Sequence, residues 1–201
     1  AQPIQSNFTE SMISVLSRIN YAYKEKYLLT ASYRQDGTSK FDTGHKWGGF
    51  PAVSAGWVIS KEDFFGNVNS INRLALRASY GATGNNNIEN FLYENNFDAA
   101  NYLSGPGQGN VENGLANTSD TNANPDLAWE RTFQTNLGLD LAMFKNRINL
   151  SVDVYDSKTE ELLLPQSTLL ITGGSNTITN AGSLNNKGIE VEFSSTNIRT
   201  K

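Results

Sequence analysis

TFQTNLGLDLAMFKNRINLSVDVYD, residues 132–156, is the stretch whose reading decides the fold. In its first half Phe133, Leu137, Leu139 and Leu141 alternate with Gln134, Asn136, Gly138 and Asp140. After a turn at Lys145-Asn146, Ile148, Leu150, Val152 and Val154 alternate with Asn149, Ser151 and Asp153. Period two, twice, about a tight turn predicts a long β-hairpin with one apolar and one polar face. An amphipathic helix would space its apolar residues by three and four, and this stretch does not. Each strand runs to roughly ten residues or more, above the usual five or six. Roughly 9–11 tilted residues also carry a β-strand across a bilayer.

Working outward, the same alternation returns. Met12–Tyr23 places Ile13, Val15, Ile19, Tyr21 and Tyr23 opposite Ser14, Arg18, Asn20 and Ala22, and Tyr27–Arg34 returns after Lys24-Glu25-Lys26. Gly49–Ser60 is a third strand, with Pro51 near its start, where proline is tolerated. Ile71–Ala82 and Asn185–Ser195 complete a set of roughly seven strands. Residues 83–128 show no periodicity and read as a long loop, as do approximately residues 161–182. Short and long connections therefore alternate along the chain, as they do between the two rims of a transmembrane barrel. Tyr21, Tyr23, Tyr27, Trp57, Phe133 and Phe144 lie near strand ends, where an interfacial aromatic girdle belongs.

Composition narrows the classes. The 201 residues carry a net charge of -4 without a long run of either sign, so no basic face is offered to nucleic acid. There is no cysteine, hence no disulfide framework and no thiolate chemistry. No stretch approaches eighteen apolar residues, which excludes a transmembrane helix and leaves a barrel open. The opening AQPIQSNFTES has no basic segment followed by an apolar one, so no signal peptide is expected in it.

Five motifs are more specific than the pattern: RINYAYKEKYLLTASYRQDGTSKF (residues 18–41), WGGFPAVSAGWVISKEDFF (47–65), INRLALRASYGATGNNNI (71–88), NPDLAWERTFQTNLGLDLAMFKNRINLSVDVYDSKTEELLL (124–164) and NKGIEVEF (186–193). In this order and spacing they resemble the SusC/RagA-type TonB-dependent outer-membrane transporters of Bacteroidetes. The resemblance implies an all-β fold: an antiparallel transmembrane β-barrel segment of about seven strands, cut from a plugged barrel of about 22. Residues 1–201 would be a partial barrel, with extracellular loops at approximately 83–128 and 161–182 and the plug domain absent. The ending NIRTK, unlike an aromatic-terminated last strand, fits a fragment. The implied role is active import of glycans, oligosaccharides or oligopeptides across the cell outer membrane. Its implied partners are outer-membrane lipid, a SusD-like surface lipoprotein and TonB acting through the plug; no cofactor and no enzymatic step are implied. Two alternatives stay open: a soluble β-sheet carbohydrate-binding module, and a passive porin or adhesin barrel.

If the apolar parity meets lipid, the opposite parity lines the lumen. Its candidates are Arg18, Asn20, Arg73, Arg77, Gln134, Asn136, Asp140, Asn149, Ser151 and Asp153. Among the loop aromatics, Phe91, Tyr93, Phe97 and Tyr102 offer ring faces for stacking on a ligand, and Tyr93, Phe97 and Tyr102 are the ligand-contact candidates. Catalytic chemistry finds little support. His45, the single histidine, stands between Gly44 and Lys46 and reads as a solvated loop residue. Asp120, Asn122, Asn124 and Asp126 begin like a calcium loop, but Pro125 stands where glycine is needed and Arg131 where glutamate is needed. The adjacent pairs Glu62-Asp63 and Glu160-Glu161 are poor acid/base pairs, since neighbours on a strand point to opposite faces.

Overall fold

In the computed structural model, residues 9–66, 68, 70–95, 97–104, 110–117, 120–169, 171 and 174–197 are described. The strands are, in chain order, β1 (Met12–Tyr23), β2 (Tyr27–Thr38), β3 (Trp47–Val58), β4 (Ile71–Asn85), β5 (Phe97–Ser104) and β6 (Asn110–Asn117). They continue with β7 (Thr121–Asn122), β8 (Glu130–Met143), β9 (Ile148–Glu160), β10 (Leu163–Ser167), β11 (Asn176–Asn180) and β12 (Ser183–Ser195). Seven long ones form a single sheet in the order β1-β2-β3-β4-β8-β9-β12, every pair antiparallel. These are the seven strands that alternation predicts. They run longer than expected: β2 continues past Arg34 to Thr38, and β4 past Ala82 to Asn85. Pro51 lies inside β3 rather than at its start. There β3 is paired with β2 through Tyr33 but not yet with β4, whose pairing begins at Ala52, so the missing N–H costs little.

Register converts alternation into faces. One apolar row crosses all seven strands: Tyr23, Tyr27, Trp57, Leu76, Leu139, Val152 and Val191 are successive cross-strand partners. Among the described residues nothing packs over this face. Ile19 is 73% exposed, Leu137 57% and Ile189 69%.

The two rims differ in kind. At one, the hairpin turns at Lys24–Lys26 and Phe144–Arg147 flank residues 59–70, which include two single-turn 3-10 helices, Ile59–Lys61 and Asp63–Phe65. Glu62 organises it, accepting from Lys26 Nζ at 3.1 Å and from Trp57 Nε1 at 3.0 Å. The Tyr27 hydroxyl, then Trp57 and Lys26, hold its carboxyl down at about 2.

At the other rim the long connections have structure of their own, which corrects the expectation of two unstructured loops. Residues 83–128 contain the β5–β6 hairpin and β7, and residues 161–182 contain β10 and β11. β11 pairs with β10 and, in parallel, with β7, so the two connections share a three-stranded sheet. Beneath it lies the buried core, Phe41, Phe50, Leu127 and Trp129, with Ile88, Leu92, Leu163 and Ile178 packed against it. The Trp129 ring stands 5.6 Å from Phe41 and 5.5 Å from Phe50, and its Nε1 donates to the Lys46 carbonyl at 3.1 Å. Gly84 leaves the space that the Phe50 ring fills. Asparagine amides stand in for missing strand partners. Asn180 accepts from Ala128 N and donates to Ala128 O, both at 2.9 Å, and Asn124 Nδ2 donates to Ile178 O at 2.9 Å. This pattern escapes a period-two reading because the pairing is side chain to backbone.

Trp129→Ala is expected to cost the loop rim roughly 3–5 kcal/mol, and Asn180→Leu, which orphans two backbone groups of Ala128, roughly 1–3 kcal/mol. Limited proteolysis of the folded protein should then cut between residues 86 and 129; cutting at the unsubstituted rate would contradict this. At the other rim, the depressed Glu62 carboxyl contributes stability that is present above its ordinary pKa of 4.5 and fades as pH falls toward 2. Glu62→Gln should flatten the acid dependence of unfolding in that window. An unchanged acid profile would remove Glu62 from the account.

Candidate functional site

The polar face is built by the same register. Asn20, Thr30, Ser54, Ser79, Asn136 and Tyr155 are successive partners across six strands, and Arg18, Ser32, Ala52, Gly81, Gln134 and Ser157 form the next row. Arg77 lies opposite Gly138, which lies opposite Asp153; Asp140 lies opposite Ser151; Arg73 lies opposite Ala142, which lies opposite Asn149. All ten sequence candidates for this face therefore share it.

Four of them are also in contact. Arg77 Nε donates to Asp140 at 2.9 Å, and Arg77 Nη2 reaches Asp140 at 3.1 Å and Asp153 at 3.1 Å. The single Ser151 hydroxyl is shared between Asp140 and Asp153, whose oxygens lie 3.1 Å and 3.2 Å from its Oγ. The planar guanidinium suits two carboxylates on adjacent strands, since its fixed fork can serve both at once. Gly138 makes the arrangement possible. A Cβ there would sit 2.7 Å from Asp153 Oδ1 and 2.8 Å from Arg77 Cζ, where the cation now crosses the strand. Alternation marks Gly138 only as a polar-parity position; its role needs the third strand in register. A second ion pair, Arg34 Nε to Asp36 at 2.7 Å, joins the expected last residue of β2 to its extension toward Thr38.

The loop aromatics separate. Phe91 and Tyr93 rings stand 6.5 Å apart, with Phe91 in the left-handed region at φ 63° and 41% exposed. Tyr93 is half-buried, and its phenol is raised by burial, with the Glu94 and Asp42 carboxylates adding to it. Phe97 opens β5 and is 56% exposed. Tyr102 lies in β5, and its side chain is outside the described residues.

His45 departs from expectation: it is half-buried, and its Nδ1 is shielded without a hydrogen-bond partner. The run from Asp120 to Asp126 is spent on loop architecture. Asn122 Nδ2 donates to Thr168 at 2.9 Å, Asn124 Oδ1 accepts from Asp126 N at 3.1 Å, and the Asp120 carbonyl accepts from Ser175 N at 2.9 Å. Glu130, unremarked in the sequence, joins both long connections to the sheet: it accepts from Asn85 Nδ2 and from Leu163 N, each at 3.1 Å.

Two unlike faces on strands of 12 to 15 residues define a class, the wall of a β-barrel, and comparison with known proteins gives its family. The chain belongs to the TonB dependent receptor-like β-barrel family, whose model matches residues 4–198. It is 43% identical over 201 residues to TonB-dependent receptor P39 of Formosa agariphila, covering 96% of this chain and 18% of that protein. It is 35% identical to TonB-dependent receptor SusC of Bacteroides thetaiotaomicron, covering 95% of this chain and 19% of that protein. Among solved structures, the RagAB peptide importer in its open-open state superposes with a TM-score of 0.82 at 29% identity, over 96% of this chain and 20% of that one. The siderophore receptor PirA of Pseudomonas aeruginosa shares the fold alone, with a TM-score of 0.58 at 13% identity. The chain thus spans about a fifth of the length of the relatives it matches.

If Arg77 and Asp140 act as one unit, their removal should not be additive. A double-mutant cycle of Arg77→Gln and Asp140→Asn, read from the unfolding midpoint of the intact barrel, should give a coupling of about 1 kcal/mol, the small end for contacting residues because the pair is partly solvated. Additive single effects would contradict the geometry.

Proposed function

We propose that this chain is a wall segment of an outer-membrane TonB-dependent importer. The observation that carries the reading is the uncovered apolar face on seven strands in register. A soluble protein does not leave a continuous apolar surface of this extent in water. In hydrocarbon the same surface is favourable, provided every backbone group is paired. β1 and β12 are the edges of the sheet, so a membrane barrel needs further strands beside them. That requirement agrees with the share of the relatives that the chain spans. Residues 1–201 are then a partial barrel, and the ten polar-face candidates line its lumen.

The orientation follows from the rims. Barrels of this kind carry short turns on the periplasmic side and long loops outside. The rim built on Trp129 is thus extracellular, and Tyr93, Phe97 and Tyr102 stand in loops that incoming cargo meets. The cargo is an oligosaccharide or an oligopeptide. A SusD-like surface lipoprotein covers the long-loop rim, and TonB supplies energy through a plug domain outside this chain. The similarity to the RagAB peptide importer and to SusC supports this assignment, and the role requires no catalytic residue. A soluble carbohydrate-binding module, by contrast, would need a second layer over the apolar face.

Leu150→Arg or Val152→Arg tests the reading. At mid-bilayer each is expected to cost about 2–4 kcal/mol and to impair assembly. Outer-membrane fractions of cells making the full-length protein should lose its heat-modifiable band, whereas Ser151→Arg should retain it. Full assembly of both apolar-face variants would overturn the assignment.

A further inference from the structure

The short rim separates its charges in a way that neither the fold nor import explains. Residues 24–26, 59–70 and 144–147 carry five cations, Lys24, Lys26, Lys61, Lys145 and Arg147, against three carboxylates, Glu25, Glu62 and Asp63. All three carboxylates are taken: Lys26 pairs with Glu62 and Asp63, and Lys61 pairs with Glu25. Lys24, Lys145 and Arg147 remain exposed, with no ion pair among the described residues. The long-loop connections have the opposite balance, with carboxylates far outnumbering Lys40 and Lys46.

Two features set Lys24 and Lys145 beside exposed aromatic rings of this rim. Lys24 Nζ lies 5.4 Å from the centre of the Tyr23 ring, and Tyr23 belongs to the apolar row, so this ammonium sits on that side of the rim. Lys145 follows the exposed Phe144. Both lysines also occupy positions that local preference gives to glycine or asparagine. Lys24 has φ 50° and Lys145 φ 58°, in the left-handed region. An ordinary L-residue there is strained.

We propose that Lys24, Lys145 and Arg147 bind the headgroup phosphates of anionic phospholipid in the leaflet that this rim meets. The inference rests on the membrane reading above. The two turns are separated by about 20 Å along the rim at the usual strand spacing, so they engage separate headgroups rather than one shared site. The exposed rings of Tyr23, Tyr27, Phe64 and Phe144 lie beside the acyl–headgroup boundary and the ammonium groups above it.

The test uses the full-length protein extracted from outer membranes, with native mass spectrometry counting bound dioleoylphosphatidylglycerol against dioleoylphosphatidylcholine. The unsubstituted protein should retain the anionic lipid at least about fivefold over the zwitterionic one, as expected of a few basic residues at a charged surface. Lys24→Asn, Lys145→Asn and Arg147→Gln together should bring the ratio near parity; asparagine suits the two left-handed turns, which keeps folding out of the result. On the unsubstituted protein, raising salt from about 0.05 to about 0.5 M should also erase the preference. Equal retention by the triple variant, no preference without substitution, or a salt-independent preference would each overturn the proposal. Failure of the membrane reading is seen separately, as absence of a heat-modifiable outer-membrane band.

Discussion

Cross-strand register is the constraint from which the rest of this structure follows. A strand presents its side chains with period two, and a slip of one residue would carry an entire strand's apolar set to the polar face. Here seven strands hold one register, so Tyr23, Tyr27, Trp57, Leu76, Leu139, Val152 and Val191 fall in a single row. The shift at Ile71/Arg73 is confined to the end of β4, where it leaves both faces intact. Each face is too uniform to be an accident of composition, and among the described residues neither is closed over by a second layer. Backbone pairing within the sheet and an apolar medium on one side satisfy both facts together.

The sheet was legible in the sequence because its signal is local and repeated. Each of the seven strands declares its own alternation, and polarity alone sorts Arg77, Asp140 and Asp153 onto one side. What alternation leaves out is which of those residues touch. Arg77 is 63 residues from Asp140 and 76 from Asp153, and only the order β4-β8-β9 brings the three together over Gly138. The long-loop rim was not legible for another reason. Its order depends on single asparagines bridging segments about fifty positions apart, such as Asn180 to Ala128, and on four apolar residues that share no period. Leu127 is fully buried, yet it stands in a stretch that reads as polar loop, and Trp129, just beyond that stretch, is nearly as buried.

That rim also gives a physical sense to the motif NPDLAWE, residues 124–130. Asn124 turns the chain and fastens β11, Leu127 and Trp129 fill the core, and Glu130 ties Asn85 and Leu163 to the start of β8. Four of seven residues therefore have distinct structural duties within a single turn. The consequence for function is that the base of the two long connections forms one packed unit with the barrel wall. The β5–β6 hairpin is paired to itself in its own two-stranded sheet. The long connections are thus mounted on a packed base.

If the sheet is the barrel wall proposed above, its apolar face lies in lipid and its polar face does not. The most direct measurement scans single cysteines from Ile148 to Asp156 through the full-length protein in bilayers; this chain has no native cysteine in the way. Spin labels at each position are read for collisions with oxygen, which concentrates in lipid, and with a water-soluble nickel chelate. Oxygen accessibility should peak at Ile148, Leu150, Val152 and Val154 and dip at Asn149, Ser151 and Asp153, with period two. A profile without that period, or with the peaks on the polar residues, would contradict the account.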